Sequence, residues 1–194
     1  CKSIIQKRIN KEMDYSDLAK EVSQQYFDDE IVSCQINESF VDAGAFDGAT
    51  SVEFAKWAKK GYEKIVIYEP MKENIVNVEH TVRNLKNVEI HNKALWNKKE
   101  LLQFSFDGAG SSIDKNGITV EAEPLDPDSK VTFVKMDIEG AEMNALEGMK
   151  SIIMEQKPKL AICIYHLYDD LWNILNIFMN LFRNINYICG IIQR

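Results

Sequence analysis

Short apolar segments alternate with longer amphipathic segments along most of the chain. Apolar, β-branched runs at 39–42, 64–68 and 88–91 predict three strands. Between them, segments 49–60 and 75–85 carry apolar residues at the spacing of a helix that is buried on one face. Strands that are almost continuously apolar and that alternate with helices are typical of a parallel sheet covered by helices.

The second half of the chain continues this pattern after a different middle section. Two short strands are predicted at 101–106 and 118–123, and the Gly-rich segment 107–112 separates them. The remaining predicted elements are strands at 131–136, 159–165 and 185–192, helices at 141–149 and 171–182, and one or two amphipathic helices within 3–27.

These elements predict an α/β fold with a doubly wound, mostly parallel sheet and helices on both faces, because right-handed crossovers leave few other topologies. Residues 1–28 are expected to form an N-terminal helical extension, and residues 29–194 the main domain. In such sheets ligands bind beyond the carboxyl ends of the strands. The residues that follow each predicted strand are therefore the candidates for a functional site.

Charge and cysteine content limit the class of partner and the compartment. The 23 basic and 30 acidic residues give a net charge of −7, without the basic stripe that a nucleic-acid binder needs. No apolar stretch approaches the roughly 20 residues that cross a bilayer, so no membrane partner is expected. The cysteines, at positions 1, 34, 163 and 189, are scattered, which favours a reducing, cytoplasmic compartment. Because the first residue is Cys rather than Met, we expect the chain to be a fragment.

A glycine-containing loop follows the first predicted strand. Asp42, Gly44 and Gly48 form the pattern D-x-G-x-x-x-G in place of the G-x-G-x-x-G of dinucleotide-binding loops. Phe46 stands where a middle glycine would be, and Asp42 and Asp47 add negative charge that would repel a pyrophosphate. The loop therefore favours a ligand with a cationic or amino group, and a tight turn without a ligand is the alternative.

Glu69 follows the second predicted strand. An acidic side chain at this position accepts hydrogen bonds from the ribose hydroxyls of an adenosine ligand. A surface carboxylate at a strand end is the simpler alternative. Together with the loop, Glu69 predicts an adenosine ligand without a pyrophosphate, and S-adenosylmethionine fits an acidic loop better than NAD does.

Three carboxylates, those of Asp137, Glu139 and Glu142, surround the end of the strand predicted at 131–136. Negative charge at a helix N-terminus is stabilising by roughly 0.3–1 kcal/mol, so Glu139 and Glu142 have an alternative interpretation as helix-terminal residues. Asp137, at the tip of a central strand, is expected to have a functional role. These oxygens also suit a divalent cation, but the sequence indicates no further ligand, and no metal site is predicted.

His166 is the histidine that directly follows a central strand, the one predicted at 159–165. Imidazole titrates near neutral pH and can accept a proton from a hydroxyl group, so His166 is predicted to be a general base. A strand-end histidine that donates to a backbone carbonyl is the alternative.

Four segments of the chain resemble a known family. Residues 40–48, 68–70, 135–142 and 165–166 read F-V-D-A-G-A-F-D-G, Y-E-P, K-M-D-I-E-G-A-E and Y-H. With these segments the chain resembles the FkbM family of S-adenosylmethionine-dependent methyltransferases, over about residues 26–172. The resemblance implies a class I methyltransferase fold, which is Rossmann-like. It also implies O-methylation of a hydroxyl of a sugar, a polyketide or another small-molecule or glycan acceptor.

The resemblance implies roles for individual residues as well. The residues expected to bind the cofactor are Asp42, Gly44, Ala45, Phe46, Gly48, Glu69, Pro70, Ala94, Leu95 and Asp137. The loop would contact the methionine part, Glu69 the ribose, and Ala94-Leu95 the adenine, while Asp137 would lie near the sulfonium. For the reaction itself, we predict that His166 is the base and that Asp137 orients the acceptor or the base. The family's sheet normally ends with a further antiparallel strand, and because this chain stops at Arg194 the sheet is expected to lack it.

Other function classes remain open alternatives. An NAD-dependent oxidoreductase is disfavoured because the chain has no G-x-G-x-x-G motif. A nucleic-acid methyltransferase is disfavoured by the negative charge. A non-catalytic or truncated methyltransferase-fold binding domain is the main alternative, although the presence of Asp42, Gly44, Glu69 and Asp137 together argues against it.

Overall fold

The computed structural model describes residues 25–29, 31–107, 110–113, 117–164, 166 and 169–181. The chain divides into two compact units, Cys34–Arg183 and a smaller one made of Cys1–Ser33 with Asn184–Arg194. In the smaller unit the rings of Tyr26 and Phe27 pack edge to face. The helices predicted within 3–27 lie outside the described residues except for 25–27, which are not helical, and the strand predicted at 185–192 also lies outside them.

The larger unit contains every strand and helix that was predicted between residues 39 and 182. In chain order its described elements are β1 (Glu38–Ala43), α1 (Ala49–Trp57), β2 (Tyr62–Tyr68), α2 (Lys72–Val82), β3 (Val88–His91), β4 (Ala94–Leu95), β5 (Glu100–Asp107), β6 (Gly110–Ile113), β7 (Ile118–Glu123), β8 (Phe133–Met136), α3 (Glu142–Gly148), α4 (Lys150–Gln156), β9 (Lys159–Ile162) and α5 (Asp170–Leu181). Of these, β4, β6 and α4 were not predicted. No helix in the described part of the chain is long and apolar enough to cross a membrane.

The main sheet has the strand order β3-β2-β1-β8-β9, and all of its neighbouring strands are parallel. This confirms the predicted doubly wound α/β fold. The chain runs outward from β1 to β3 and then crosses to the other side of β1 at β8, so right-handed crossovers place α1 and α2 on one face and α3 and α4 on the other. The carboxyl ends of β1 and β8 therefore form the switch point at which ligands bind in sheets of this kind.

A second sheet has the order β4-β7-β5-β6, in which β4 is parallel to β7 and the other pairs are antiparallel. A further strand lies within the segment that the sequence predicts to separate two strands. Gly110–Ile113 forms β6 and pairs antiparallel with β5, with Asp107 opposite Gly110. The buried side chains that pack together here are Ala94, Trp96, Leu102, Phe104, Val120, Ala122 and Ala141.

Charged and aromatic contacts join the two sheets. His91 ends β3, and its Nδ1 atom lies 3.1 Å from Glu123 Oε1 at the end of β7. Lys93 Nζ donates to the other oxygen of Glu123 at 2.6 Å. The His91 ring also stacks on Tyr68, with 4.6 Å between the ring centroids. Burial raises the pKa of the Tyr68 phenol well above its usual range, so this ring stays neutral in the stack.

A cluster of aromatic rings holds α1 against the centre of the main sheet. The ring of Phe40 in β1 stacks on Phe54 of α1, with 4.2 Å between centroids. Phe133 of β8 contacts Phe40 and Trp57 edge to face, both at 5.6 Å. Buried aromatic pairs contribute about 0.5–1.5 kcal/mol each beyond the area that they bury. This packing fixes the second half of α1 against β1 and β8.

Several predicted elements end earlier or begin later than expected. The strand predicted at 159–165 ends at Ile162, because β9 pairs residue by residue with β8, from Phe133↔Lys159 to Met136↔Ile162. Strand β8 begins at Phe133 rather than at residue 131. Helix α1 ends at Trp57, and Gly61 follows it with the left-handed φ of 87° that was expected there.

We predict that Glu38 makes the fold sensitive to acid. Its buried carboxylate accepts hydrogen bonds from Lys159 Nζ and from the Gln35 amide, both at 2.7 Å, and from the Thr132 hydroxyl. Burial alone would raise its pKa, but these donors lower the pKa below the usual range. A lowered pKa contributes stability that is present above the unfolded-state pKa and is lost as pH falls through the folded-state pKa.

The Glu38→Gln variant should therefore be less stable than the unmodified chain by about 2 kcal/mol at pH 7. The difference should shrink towards pH 3, as measured by urea unfolding at a series of pH values. Glu63→Gln, an exposed position on β2, is the control and should show a much smaller change. A Glu38→Gln difference that is constant with pH would contradict this account.

Candidate active site

The loops that follow β1 and β8 touch at the switch point of the main sheet. The Asp137 amide donates to the Ala43 carbonyl at 3.1 Å. Gly44 has a φ of 74°, and a Cβ atom at this position would lie only 2.0 Å from the Asp137 carbonyl oxygen. Glycine is therefore required both by the backbone conformation and by the approach of the second loop. The contact brings two of the predicted site residues, Gly44 and Asp137, together.

Glu69 holds the glycine loop in place from the end of β2. One carboxylate oxygen accepts the Phe46 amide at 2.9 Å, and the other accepts the Met71 amide at 2.9 Å and Asn74 Nδ2 at 3.2 Å. The side chain is buried, and burial raises its pKa although these donors and the Lys135 charge lower it. Three hydrogen bonds leave about one of the four acceptor positions of a carboxylate for a ligand.

Asp42 lies beneath the loop and is fully buried. Its carboxylate accepts the Ser51 hydroxyl at 2.8 Å and pairs with Lys135 Nζ at 3.1 Å. The same ammonium group donates to the carbonyl oxygens of Ala43 and Gly44, at 3.2 and 2.6 Å. Neither Ser51 nor Lys135 was given a role from the sequence, although a lysine within an apolar strand is a signal of a buried partner. The predicted contact of Asp42 with a cofactor stays a prediction.

Of the other predicted cofactor residues, one group lies in the loops after β1 and β2, and the other forms β4. Ala45 is buried in the loop, whereas Phe46 is 64% exposed. Phe46 has a φ of 54°, a backbone conformation that residues other than glycine rarely adopt. Gly48 precedes α1 with a φ of 82°, and a Cβ atom there would lie 3.2 Å from Val82 of α2. Pro70 follows Glu69, and its carbonyl accepts Asn92 Nδ2 at 3.0 Å.

Ala94 and Leu95 form β4, and both side chains are buried. Ala94 packs in the apolar cluster of the second sheet. The structure thus groups Gly44, Ala45, Phe46 and Glu69 around one loop, while it places β4 beyond β3 in the other sheet. The expected contact of Ala94 and Leu95 with adenine stays a prediction.

His166 lies between carboxylates on both sides of its ring. Its Nε2 atom is 3.2 Å from Asp137 Oδ1 and 3.3 Å from Glu139 Oε2. Its Nδ1 atom is 3.0 Å from Glu142 Oε1. The two residues predicted to be catalytic, His166 and Asp137, are therefore in contact, and the ring is buried. Tyr165, the other residue of that motif, lies outside the described residues.

These carboxylates change the acid–base behaviour of the ring. Burial alone lowers the pKa of His166, but the pairs with Asp137 and Glu142 and the charge of Glu139 outweigh burial and raise the pKa to about 10. At neutral pH the imidazole thus holds its proton. The role of His166 as a general base stays a prediction, and it requires that another group or ion first displace this proton.

Glu142 and Glu139 do more than occupy a helix terminus. Glu142 is fully buried, and its Oε1 accepts the Ile138 amide at 3.0 Å while it faces His166. Glu139 has a φ of 57° and is partly exposed. Asp170, at the start of α5, was not predicted, yet it lies close to both Glu142 and His166. The signal in the sequence was the acidic pair at 169–170, soon after a histidine that follows a strand.

One family profile and solved structures of other proteins match this chain. The sequence profile of the Methyltransferase FkbM domain matches residues 42–189. The structure of methyltransferase FkbM from Methylobacillus flagellatus KT is similar to this chain, with a TM-score of 0.73 and 26% identity over 86% of this chain and 43% of that chain. The chain thus spans less than half of the length of that protein.

A SAM dependent methyltransferase from Aquifex aeolicus also matches, with a TM-score of 0.41 and 21% identity over 76% of this chain and 69% of that chain. Comparison with curated protein sequences found no significant match.

We predict that Gly44→Ala will disrupt the contact between the two loops. The substitution adds a methyl group 2.0 Å from the Asp137 carbonyl oxygen in addition to straining the backbone, so the free energy of unfolding should fall by about 3 kcal/mol or more. Gly61→Ala is the matched control, because Gly61 has a φ of 87° but no atom within 4 Å of the added Cβ. It should cost only about 1–2 kcal/mol, the strain of the left-handed backbone. Equal losses in the two variants, measured by chemical denaturation, would show that the loops do not meet in this way.

Proposed function

The chain belongs to the FkbM methyltransferase family, and we propose that it transfers the methyl group of S-adenosylmethionine to an acceptor hydroxyl. The single observation that best supports this is the meeting of the glycine loop and Asp137 at the switch point, with Glu69 holding the loop. In the proposed function, that arrangement would bring the ribose-binding Glu69 and the carboxylate of Asp137 to the same edge of the sheet.

The geometry of the loop supports a cofactor without a pyrophosphate. Asp42 and Lys135 neutralise each other beneath the loop, and Lys135 is turned towards the carbonyls of Ala43 and Gly44. Glu69 would accept a ribose hydroxyl at its remaining position while it continues to hold the Phe46 and Met71 amides. The exposed ring of Phe46 and the carboxylates of Asp47 and Glu69 suit an amino acid linked to adenosine better than a pyrophosphate.

The reaction would be an in-line displacement at the methyl carbon. The acceptor oxygen forms a bond to the methyl group, the bond from that carbon to sulfur breaks, and S-adenosylhomocysteine and a methyl ether result. The positive charge of the sulfonium is consumed, so the site needs no strong oxyanion device. Most of the rate enhancement would come from holding oxygen and methyl about 3 Å apart and in line.

The hydroxyl proton must also leave, and a general base contributes about 10²- to 10⁴-fold. Asp137 and His166 are the groups we propose for this part of the reaction, with Asp137 orienting the acceptor. Because His166 carries a proton at neutral pH, its direct use as a base needs a prior change in the charges around it. The acceptor class we propose is a hydroxyl of a sugar or another small-molecule or glycan acceptor, and the cytoplasmic location remains a prediction.

The cofactor can be tested by calorimetric titration with S-adenosylmethionine and S-adenosylhomocysteine. We expect micromolar binding to the unmodified chain and at least tenfold weaker binding to Glu69→Gln, since the amide presents a donor where the ribose needs an acceptor. Glu63→Gln, at the other end of β2, should bind normally. Absence of binding by the folded chain would contradict the proposal.

Transfer itself can be tested with methyl-labelled S-adenosylmethionine and a panel of sugars, glycans and polyketide alcohols. The expected product is a methyl ether whose formation stops in Glu69→Gln at low cofactor concentration and continues in Glu63→Gln. Label on an acceptor nitrogen or carbon would overturn the hydroxyl assignment. Cofactor binding without transfer to any acceptor would favour the alternative of a non-catalytic binding domain.

A further inference from the structure

The carboxylates around His166 have the spacing of ligands to a single ion. The donor atoms of Asp137, Glu139 and His166 all lie within 4.8 Å of one another, and so do those of Glu142, His166 and Asp170. A divalent cation held at about 2.0–2.2 Å by each ligand needs neighbouring ligand atoms roughly 3–4 Å apart. The distances of 3.2 and 3.3 Å from Nε2 to Asp137 and Glu139 fall within that range.

Among the described side chains of the cluster, carboxylates outnumber basic groups. Asp137 and Glu142 are both more than nine-tenths buried, and His166 lies between them. Glu142 Oε2 is buried and accepts no hydrogen bond from any residue that the structure describes. Burying this oxygen is costly, and a further positive charge in the cluster would offset that cost. Lys135, the buried lysine nearby in the sequence, is already directed at Asp42.

We propose that this cluster is a binding site for one divalent cation, with Asp137, Glu139 and the Nε2 atom of His166 as the protein ligands. The Nδ1–H group would then face Glu142 Oε1, which lies 3.0 Å away. A carboxylate behind a metal-bound histidine fixes the ring and its tautomer, and it increases the basicity of the ligating nitrogen. Glu142 is therefore a positioning residue for the site.

The ligand set selects the class of ion. Two carboxylate oxygens and one imidazole nitrogen suit Mn²⁺ and its neighbours in the first transition series better than Ca²⁺ or Mg²⁺, which prefer oxygen ligands alone. Three protein ligands also leave coordination positions open. Glu139 is partly exposed, so the cluster is accessible from solvent at this residue.

This inference rests on the proposed methyl transfer for its functional meaning. An acceptor hydroxyl that occupies an open position would have its pKa lowered by the cation, so its proton could pass to water before the oxygen attacks the methyl carbon. His166 would then act as a ligand instead of as a base.

The test is a titration of the metal-free chain with Mn²⁺ alone, followed by electron paramagnetic resonance. We expect one saturable site per chain, and a pulsed spectrum with coupling to one ligating nitrogen. Affinity should fall at least tenfold in Glu139→Gln and in His166→Gln, and the nitrogen coupling should disappear in His166→Gln. His91→Gln is the matched control, because that ring also lies between two carboxylates, Glu89 and Glu123, but Lys93 already pairs with Glu123. It should bind Mn²⁺ normally.

Two results would overturn the proposal: no saturable Mn²⁺ binding by the folded chain, or equal binding by Glu139→Gln, His166→Gln and His91→Gln. Should His166→Gln not fold, the partly exposed Glu139→Gln and the nitrogen coupling in the unmodified chain decide the question. Binding of S-adenosylhomocysteine in the presence of a chelator separates this inference from the proposed function. Cofactor binding without Mn²⁺ binding would remove the metal site only, and Mn²⁺ binding without cofactor binding would remove the methyltransferase function only.

Discussion

The close contact between the loops after β1 and β8 is the constraint on which the rest of the site depends. The Asp137 carbonyl occupies the space that a side chain at residue 44 would need, and the Asp137 amide donates a hydrogen bond to the Ala43 carbonyl. This follows from the parallel register that sets Ala43 beside Met136. With the loops in contact, the groups at the ends of β1, β2 and β8 share one edge of the sheet, and a ligand that reaches one loop also reaches the other.

Two groups of buried charged side chains lie at this edge, and they differ in the ratio of acidic to basic groups. Asp42 and Lys135 form a pair of opposite charges whose remaining hydrogen bonds go to a hydroxyl and to carbonyls of the loop. The Lys135 ammonium group of this pair holds the loop through the carbonyls of Ala43 and Gly44. Around His166, carboxylates outnumber the ring among the described side chains. An imbalance of this kind is where chemistry at a site is expected, because perturbed acid–base groups cluster at functional positions.

The fold was largely predictable from the sequence because each main-sheet strand is a short apolar run and each crossover has helical spacing. The residues at strand ends, such as Glu69 and Asp137, were identified by the rule that ligands bind at the carboxyl edge. The partners of these residues were not predictable. Asp42 meets Lys135 only because of the register between β1 and β8, which no local pattern encodes. Asp170 approaches Glu142 only through the fold, because α4 and β9 separate the two residues in the chain.

The most direct test of this account is a crystal structure of the chain with S-adenosylhomocysteine. The account predicts ribose hydroxyls on Glu69, the homocysteine part along the loop from Gly44 to Phe46, and the sulfur atom on the side of Asp137. Glu69 should keep its hydrogen bonds to the Phe46 and Met71 amides in the complex. A nucleoside bound away from the carboxyl ends of β1 and β2, or a site in which Glu69 makes no contact with the ligand, would contradict the central claim.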